Sequence, residues 1–443
     1  MGTVTRRRLL VLLVVLVVLG IPAGILQALC VGGSCAADPA ESRVPFCPLP
    51  DALKLAIASG YREGRSADVL AVGAATPIFT QVDGLRLPWP AVSTATNARV
   101  PVAFSGAGIS AGATIPDGVA LDAIAPTVSD ALGFERPFPE VRSGTPIAGV
   151  ASASGERPRL ILSIAWKGVG STELDDQPDA WPFLASMLRD GAGTLEAEAG
   201  SLPLDPSATL TTIGTGGLAS QHGITGSFIR NDAGSVVEPY GEGAPVSVIA
   251  SLADDLEDAD PRTLVGLIGT HERDRGLVGG GWYPDQDPVD AVFGDTLGVS
   301  VAVEERLSRG FGADDVPDVL GVVLEGGIGR MDRLTKRIVA QAQAATSGAT
   351  LVSVAGTGTW ERSSIALSDE AAIDAVEDAI PGDASAVEAA VPGGFFLDQT
   401  VLREQQVTGQ VAVDALLGAE DPGGGKMMAD AFQGFAVSFS RYC

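Results

Sequence analysis

Residues 209–226, TLTTIGTGGLASQHGITG, decide the fold. A run rich in Thr and Ser closes on Thr215-Gly216. A short spacer follows, and then His222-Gly223-Ile224. A helix over about Thr209–Thr215 has its amino end near Pro206-Ser207. Outward from this stretch, short apolar runs alternate with helical ones. The strand-like runs are Asp68–Gly73, Val100–Phe104, Leu160–Ala165, Val246–Ile249, Leu264–Ile268, Val319–Leu324 and Thr350–Val354. Helical periodicity fits Asp51–Gly60, Asp122–Leu132, Ala180–Arg189, Met331–Ala345, Asp369–Ala379 and Val407–Leu417. Such alternation predicts an α/β fold, doubly wound, with a largely parallel central sheet and helices on both faces. Residues 148–158, AGVASASGERP, read as a linker within an ectodomain spanning 51–443.

The amino terminus carries a second signal. Arg6-Arg7-Arg8 precede an apolar stretch, and no charge occurs between Leu9 and Ala37. Residues 9–29 are expected to form one transmembrane helix, with 1–8 as a cytoplasmic tail and the bulk of the chain extracytoplasmic. A cleaved signal peptide, ending near Ser34-Cys35-Ala36-Ala37, is the rival reading. Residues 30–50 form a Cys- and Pro-rich juxtamembrane segment. Cys30, Cys35, Cys47 and Cys443 are the four cysteines, and outside the cytoplasm they favour disulfides over metal ligation. Lys and Arg number 29 against 55 Asp and Glu, a net charge of -26 that argues against a nucleic-acid partner.

The Thr-Gly pair with its following His-Gly-Ile resembles the alkaline phosphatase superfamily, most closely the type I phosphodiesterase/nucleotide pyrophosphatase branch. The resemblance implies phosphate-ester hydrolysis with two metal ions held by several Asp and His. This chain has two histidines in all. Where the family's opening strand ends in a metal-binding Asp-Gly, LILSIAWKG ends in Lys167-Gly168. The nucleophile's position falls on Pro206, with Ser207 beside it and Thr209 close by. The ligand positions after two later strands read Glu325-Gly-Gly-Ile-Gly329 and Ala355-Gly356-Thr357-Gly358. The metal ligands and the nucleophile are thus expected to be lost, with Lys167, Glu325, Gly356 and Thr357 as degenerate site positions. His222 belongs to a scaffold turn.

The order of the pieces departs from the family. Gly60–Val72, Val100–Ile109 and Asp122–Phe134 resemble segments normally near the carboxyl end, yet here they come first. FQGFAVSFSRY at Phe432–Tyr442 resembles what would run into the helix at Asp51. This implies a circular permutation, joined through 148–158 and cut between Tyr442 and Asp51. It also implies adjacent chain ends and a Cys47–Cys443 disulfide.

Other constellations read as scaffold. His271 lies among charges and reads as solvated, and so does an acidic loop of Asp175, Asp176 and Asp179. Gly106-Ala-Gly108-Ile-Ser-Ala-Gly112 misses the dinucleotide fingerprint, and Pro422-Gly-Gly-Gly-Lys426 lacks the P-loop spacing. The leading expectation is a membrane-anchored, catalytically inactive binding or scaffold module of the cell envelope, without cofactor. Its partner would be an envelope protein or a phosphate-ester ligand. The alternative is a divergent phosphodiesterase or phosphatase with Ser207 or Thr209 as nucleophile, Lys167 and arginines stabilising charge, and zinc or another divalent metal only in that case. A transporter-associated or purely structural envelope protein is a third class.

Overall fold

Parallel strands covered on both faces read as unbroken apolar runs, and LILSIAW at Leu160–Trp166 is such a run. The computed structural model describes residues 44–82, 84–91, 98–152, 155–359 and 365–439. The expected transmembrane segment, Cys30, Cys35 and Cys443 lie outside these residues. Among the described residues no helix is long and apolar enough to cross a membrane.

Helix α1 (Asp51–Gly60) leads into β1 (Val69–Gly73), β2 (Arg99–Gly106), β3 (Ala113–Thr114) and α2 (Ile124–Leu132). The next run is β4 (Leu160–Trp166), α3 (Pro182–Asp190), β5 (Ala192–Glu198), α4 (Pro206–Thr215) and α5 (Leu252–Ala259). Then come β6 (Val265–Gly269), β7 (Asp290–Phe293), β8 (Asp318–Leu324), α6 (Ile328–Ala345) and β9 (Thr350–Gly356). The last part holds α7 (Glu370–Ala379), β10 (Val387–Val391), β11 (Gly394–Leu397), α8 (Gly409–Gly418), β12 (Met428–Gln433) and α9 (Phe435–Ser438).

Eight strands form the central sheet in the order β7-β6-β8-β4-β9-β2-β5-β3. Pairing is parallel from β7 through β9, antiparallel where β2 joins β9 and β5, and parallel again between β5 and β3. Alternate side chains of β4 enter opposite cores, as the two-residue period of a strand requires. Ile161 and Ala165 pack with Val128, Leu210, Ile213 and Leu256 of α2, α4 and α5. Leu160, Leu162, Ile164 and Trp166 pack with Leu184 of α3 and Met331, Ile338 and Val339 of α6. The sheet is therefore doubly wound. On α6 the buried set Ile328, Met331, Asp332, Thr335, Ile338, Val339 and Ala342 follows the helical period. Asp332 in that set accepts the backbone N–H groups of Phe183 (3.1 Å) and Leu184 (2.9 Å), capping α3 from a neighbouring helix.

A second sheet, not foreseen from sequence, has the antiparallel order β10-β11-β1-β12. Its core joins Val69 and Ala71 to Phe395, Val376, Leu416 and Ala431, so α7 and α8 cover it. Segments from early and late in the described residues build this lobe. Phe46 meets Phe432 edge to face at 5.1 Å, and its N–H donates to Asp430 Oδ2 at 3.0 Å.

Three local expectations change. Val246–Ile249 is irregular rather than a strand: Val246 and Val248 are exposed, and Ser247 Oγ exchanges hydrogen bonds with the Ile249 backbone. Val150 and Ser152 of the expected linker are tied to a neighbouring loop. Val150 is buried, Ser110 N–H donates to the Val150 carbonyl, and Ser152 N–H to that of Gly108. Asp175 and Asp176 end a short helix, Ser171–Asp176, instead of forming a loop.

Candidate functional site

Trp166, Leu324 and Gly356 lie in register across β4, β8 and β9. The residues that follow, Lys167, Glu325 and Thr357, therefore leave the sheet side by side. Among the parallel strands, the chain passes from β4 to β6 and β8 on one side and later to β9 on the other, so the end of β4 is a switch point. Open α/β sheets bind their ligands at such a place.

Here the position is filled from within. Lys167 is 3% exposed, its Nζ lies 2.8 Å from Asp274 Oδ1, and it donates to Thr270 Oγ1 at 2.9 Å. Asp274 sits in the 3-10 turn Glu272–Leu277 after β6. Its Oδ2 accepts from Thr270 N, Thr270 Oγ1 and His271 N at 2.8–3.0 Å. Burial pushes the Asp274 carboxyl up. The Lys167 charge and these hydrogen bonds outweigh that and hold it below the usual range.

Helix α4 reaches the same place. Asp205 caps it: Oδ1 accepts from Ser207 N (2.9 Å) and Ser227 Oγ (3.0 Å), Oδ2 from Ser227 N (2.8 Å). Burial raises the Asp205 carboxyl, opposed by the Ser227 and Ser207 bonds and by the Lys167 charge. One ammonium thus acts on two buried carboxylates. Ser207 is buried, and its Oγ lies 3.5 Å from Ser227 Oγ, a weak contact for two hydroxyls. Thr209, also buried, donates back along its helix to the Asp205 carbonyl at 2.9 Å. Thr357 Oγ1 accepts the Gly168 N–H at 2.8 Å. Gly356 has room only for hydrogen, because a Cβ would stand 2.2 Å from the Val169 carbonyl oxygen. Glu325 is half-buried, and its charge acts on Arg273. Lys167, Ser207, Thr209 and Thr357 are thus brought near the carboxyl ends of the central strands but closed to solvent. Among the described residues no group of three or more His, Cys, Asp or Glu is arranged to hold a metal ion.

The stretch 209–226 builds the wall. A Cβ on Gly214 would lie 2.3 Å from the Gly276 carbonyl oxygen, and one on Gly276 would lie 2.1 Å from Thr211 Oγ1. Two glycines let α4 and the Asp274 turn meet backbone to backbone. At the other end of α4, Gly216 takes the left-handed conformation (φ 78°) as its cap. Arg136 and Arg142 both donate to the Thr215 carbonyl and both pair with Asp255, at 2.8 and 3.1 Å. Cations suit the carboxyl end of a helix. These arginines line a cavity of about 520 Å³, away from Lys167.

His222 is fully buried. Its Nδ1 accepts the Ile224 N–H at 3.1 Å, so the hydrogen sits on Nε2, which donates to Thr212 Oγ1 at 3.1 Å. Burial, with the Arg62 charge, lowers its pKa to about 3. The ring is a neutral tie between α4 and the turn. His271 is half-buried, and its backbone N–H serves Asp274. Asp205, Ser227, Thr270 and Asp274 escape the sequence reading. Asp205-Pro206 carries a recognisable cap-and-Pro signature. Nothing in THERDRGL separates Asp274 from solvated charge.

No protein-family model matches the chain, and no curated protein matches it. Among solved structures, the chain is similar to the wild-type alkaline phosphatase PafA, with 13% identity and a TM-score of 0.43 over 59% of this chain and 76% of that one. A four-substitution variant of PafA aligns with the same identity and score, covering 62% of this chain and 85% of that one.

Proposed function

We propose that this chain is a membrane-anchored, extracytoplasmic binding or scaffold module in which a phosphatase-like site has been replaced by a structural ion pair. The buried Lys167–Asp274 pair carries the reading. Its ammonium stands at the strand end where the sequence resemblance calls for a metal-binding carboxylate, 2.8 Å from its partner. A fixed cation there repels a divalent ion and supplies the positive charge that Asp274 and Asp205 would otherwise draw from one. Burial of Ser207 and Thr209 supports the same reading, because a hydroxyl without solvent access cannot meet a phosphate ester. The uncharged run from Leu9 to Ala37 behind three arginines supports the anchor.

The test is hydrolysis of phosphomonoesters and phosphodiesters by purified wild-type and Ser207→Ala chains, with and without chelator. The reading expects no turnover that depends on Ser207 or Thr209. Turnover that survives chelation and disappears in Ser207→Ala would establish the metal-free hydrolase instead. Membrane fractionation checks the anchor: a soluble mature product beginning near Asp38 would make the segment a signal peptide.

A further inference from the structure

Helix α6 carries Arg330, Arg333, Lys336 and Arg337, all exposed, along one side. They stand three and four residues apart, so a stripe of cations about 10 Å long runs down the helix. In a chain with 29 Lys and Arg against 55 Asp and Glu, exposed cations readily find carboxylates, as Arg189, Arg262 and Arg309 do. No ion pair holds any of these four among the described residues. Asp332, the carboxylate on α6, is buried and accepts the N–H groups of Phe183 and Leu184 instead. The arrangement works against the helix itself. Like charges at these spacings repel, and α6 has neither an acid in its first turn nor a base in its last.

Helix α7 carries the counterpart. Glu370, Asp374 and Asp378 are exposed at successive four-residue steps, a stripe about 12 Å long. They too hold no ion pair among the described residues, and Glu370 takes only a long contact from Ser368 Oγ, at 3.4 Å. The two stripes belong to different cores, α6 covering the central sheet and α7 the second sheet. We propose that the α6 stripe of one copy docks on the α7 stripe of a second copy, so that the chain associates with itself head to tail. Such a contact is heterologous, because each copy offers both surfaces and uses each once. It stands on these two helices and is independent of the ion pair at Lys167 and of the anchor. The stripes match in length and are opposite in sign. A flat anionic surface fits less well, because it would also face the acidic remainder of a chain with a net charge of -26. A contact one helix wide leaves most of that charge beyond the screening length of about 8 Å at physiological ionic strength.

The experiment is sedimentation equilibrium of the full chain in a neutral detergent, over a range of protein concentrations. Association should peak at intermediate ionic strength between about 0.01 and 1 M, because low salt leaves the net repulsion unscreened and high salt screens the stripes. Arg333→Glu with Arg337→Glu, and separately Asp374→Arg with Asp378→Arg, should each weaken association roughly tenfold or more, since one exposed pair is worth up to about fivefold. An equimolar mixture of the two variants should recover a dimer, because the intact α6 of one meets the intact α7 of the other. That recovery also shows that both variants are folded. A wild-type chain that stays monomeric throughout, even one that binds phosphatidylglycerol vesicles, would overturn the proposal. So would association that neither pair of reversals weakens, or a mixture that stays dissociated.

Discussion

Replacing Lys167 with Met removes the ammonium and keeps most of the stem. Asp274, whose side chain is fully buried, then keeps its bonds from Thr270 and His271 on Oδ2 but loses its counter-charge on Oδ1. Stranding a buried charge costs about 3–5 kcal/mol. Urea unfolding of the variant is expected to show a loss in that range. Adding Asp274→Asn removes the stranded charge while retaining an acceptor, so the double variant should recover much of the loss. The coupling energy should fall near the top of the ~0.5–3 kcal/mol range for interacting residues. The pH dependence has a definite sign. In Lys167→Met, burial is opposed only by the Thr270 and His271 hydrogen bonds, so the folded pKa of Asp274 rises relative to wild type. The variant's deficit against wild type should therefore be smallest at low pH, where Asp274 is protonated in both chains, and grow as pH rises through the variant's folded pKa. A loss under about 1 kcal/mol, with no pH dependence, is what an exposed pair gives. It would refute the buried-plug reasoning.

His222, lowered to about 3 against 6.5 unfolded, contributes stability that is fully present above pH 6.5 and is lost as pH falls toward 3. At pH ~4.5 the loss should be roughly 2–3 kcal/mol in wild type and absent in His222→Gln, read from urea melts at each pH. Asp205→Ala, which strands the Ser227 and Ser207 N–H groups, should cost about 2 kcal/mol or more, whereas Ser207→Ala should be nearly neutral. Equal losses in thermal unfolding would contradict the division of labour. Cys47 is disulfide-bonded, and its partner lies outside the described residues. The contact of Phe46 with Phe432 favours Cys443, so non-reducing peptide mapping should recover a Cys47–Cys443 peptide; a Cys30 or Cys35 adduct would count against the permuted chain order.

Much of the central sheet is legible because buried parallel strands are long apolar runs that no other local pattern imitates. LILSIAW and DVLGVVL are of this kind. The second sheet is not legible. β1 and β12 are short, they pair across the whole chain, and no local pattern records a pairing so distant. The same holds for the site. Ser207 and Thr209 could be placed by counting back from Thr215-Gly216, and Lys167 and Thr357 from the strands they follow, but Asp274 becomes a site residue only because Gly214 and Gly276 let two backbones touch. Val246–Ile249 misled because its alternation is satisfied by local Ser247 bonds rather than a ladder.

The central claim is that a lysine occupies the place of a metal. Elemental analysis of the purified full chain, followed by calorimetric titration with zinc and manganese, tests it most directly. The account expects no bound divalent metal and no saturable heat in wild type. One or two equivalents of tightly bound metal, lost on Asp274→Asn or Asp205→Asn, would contradict it.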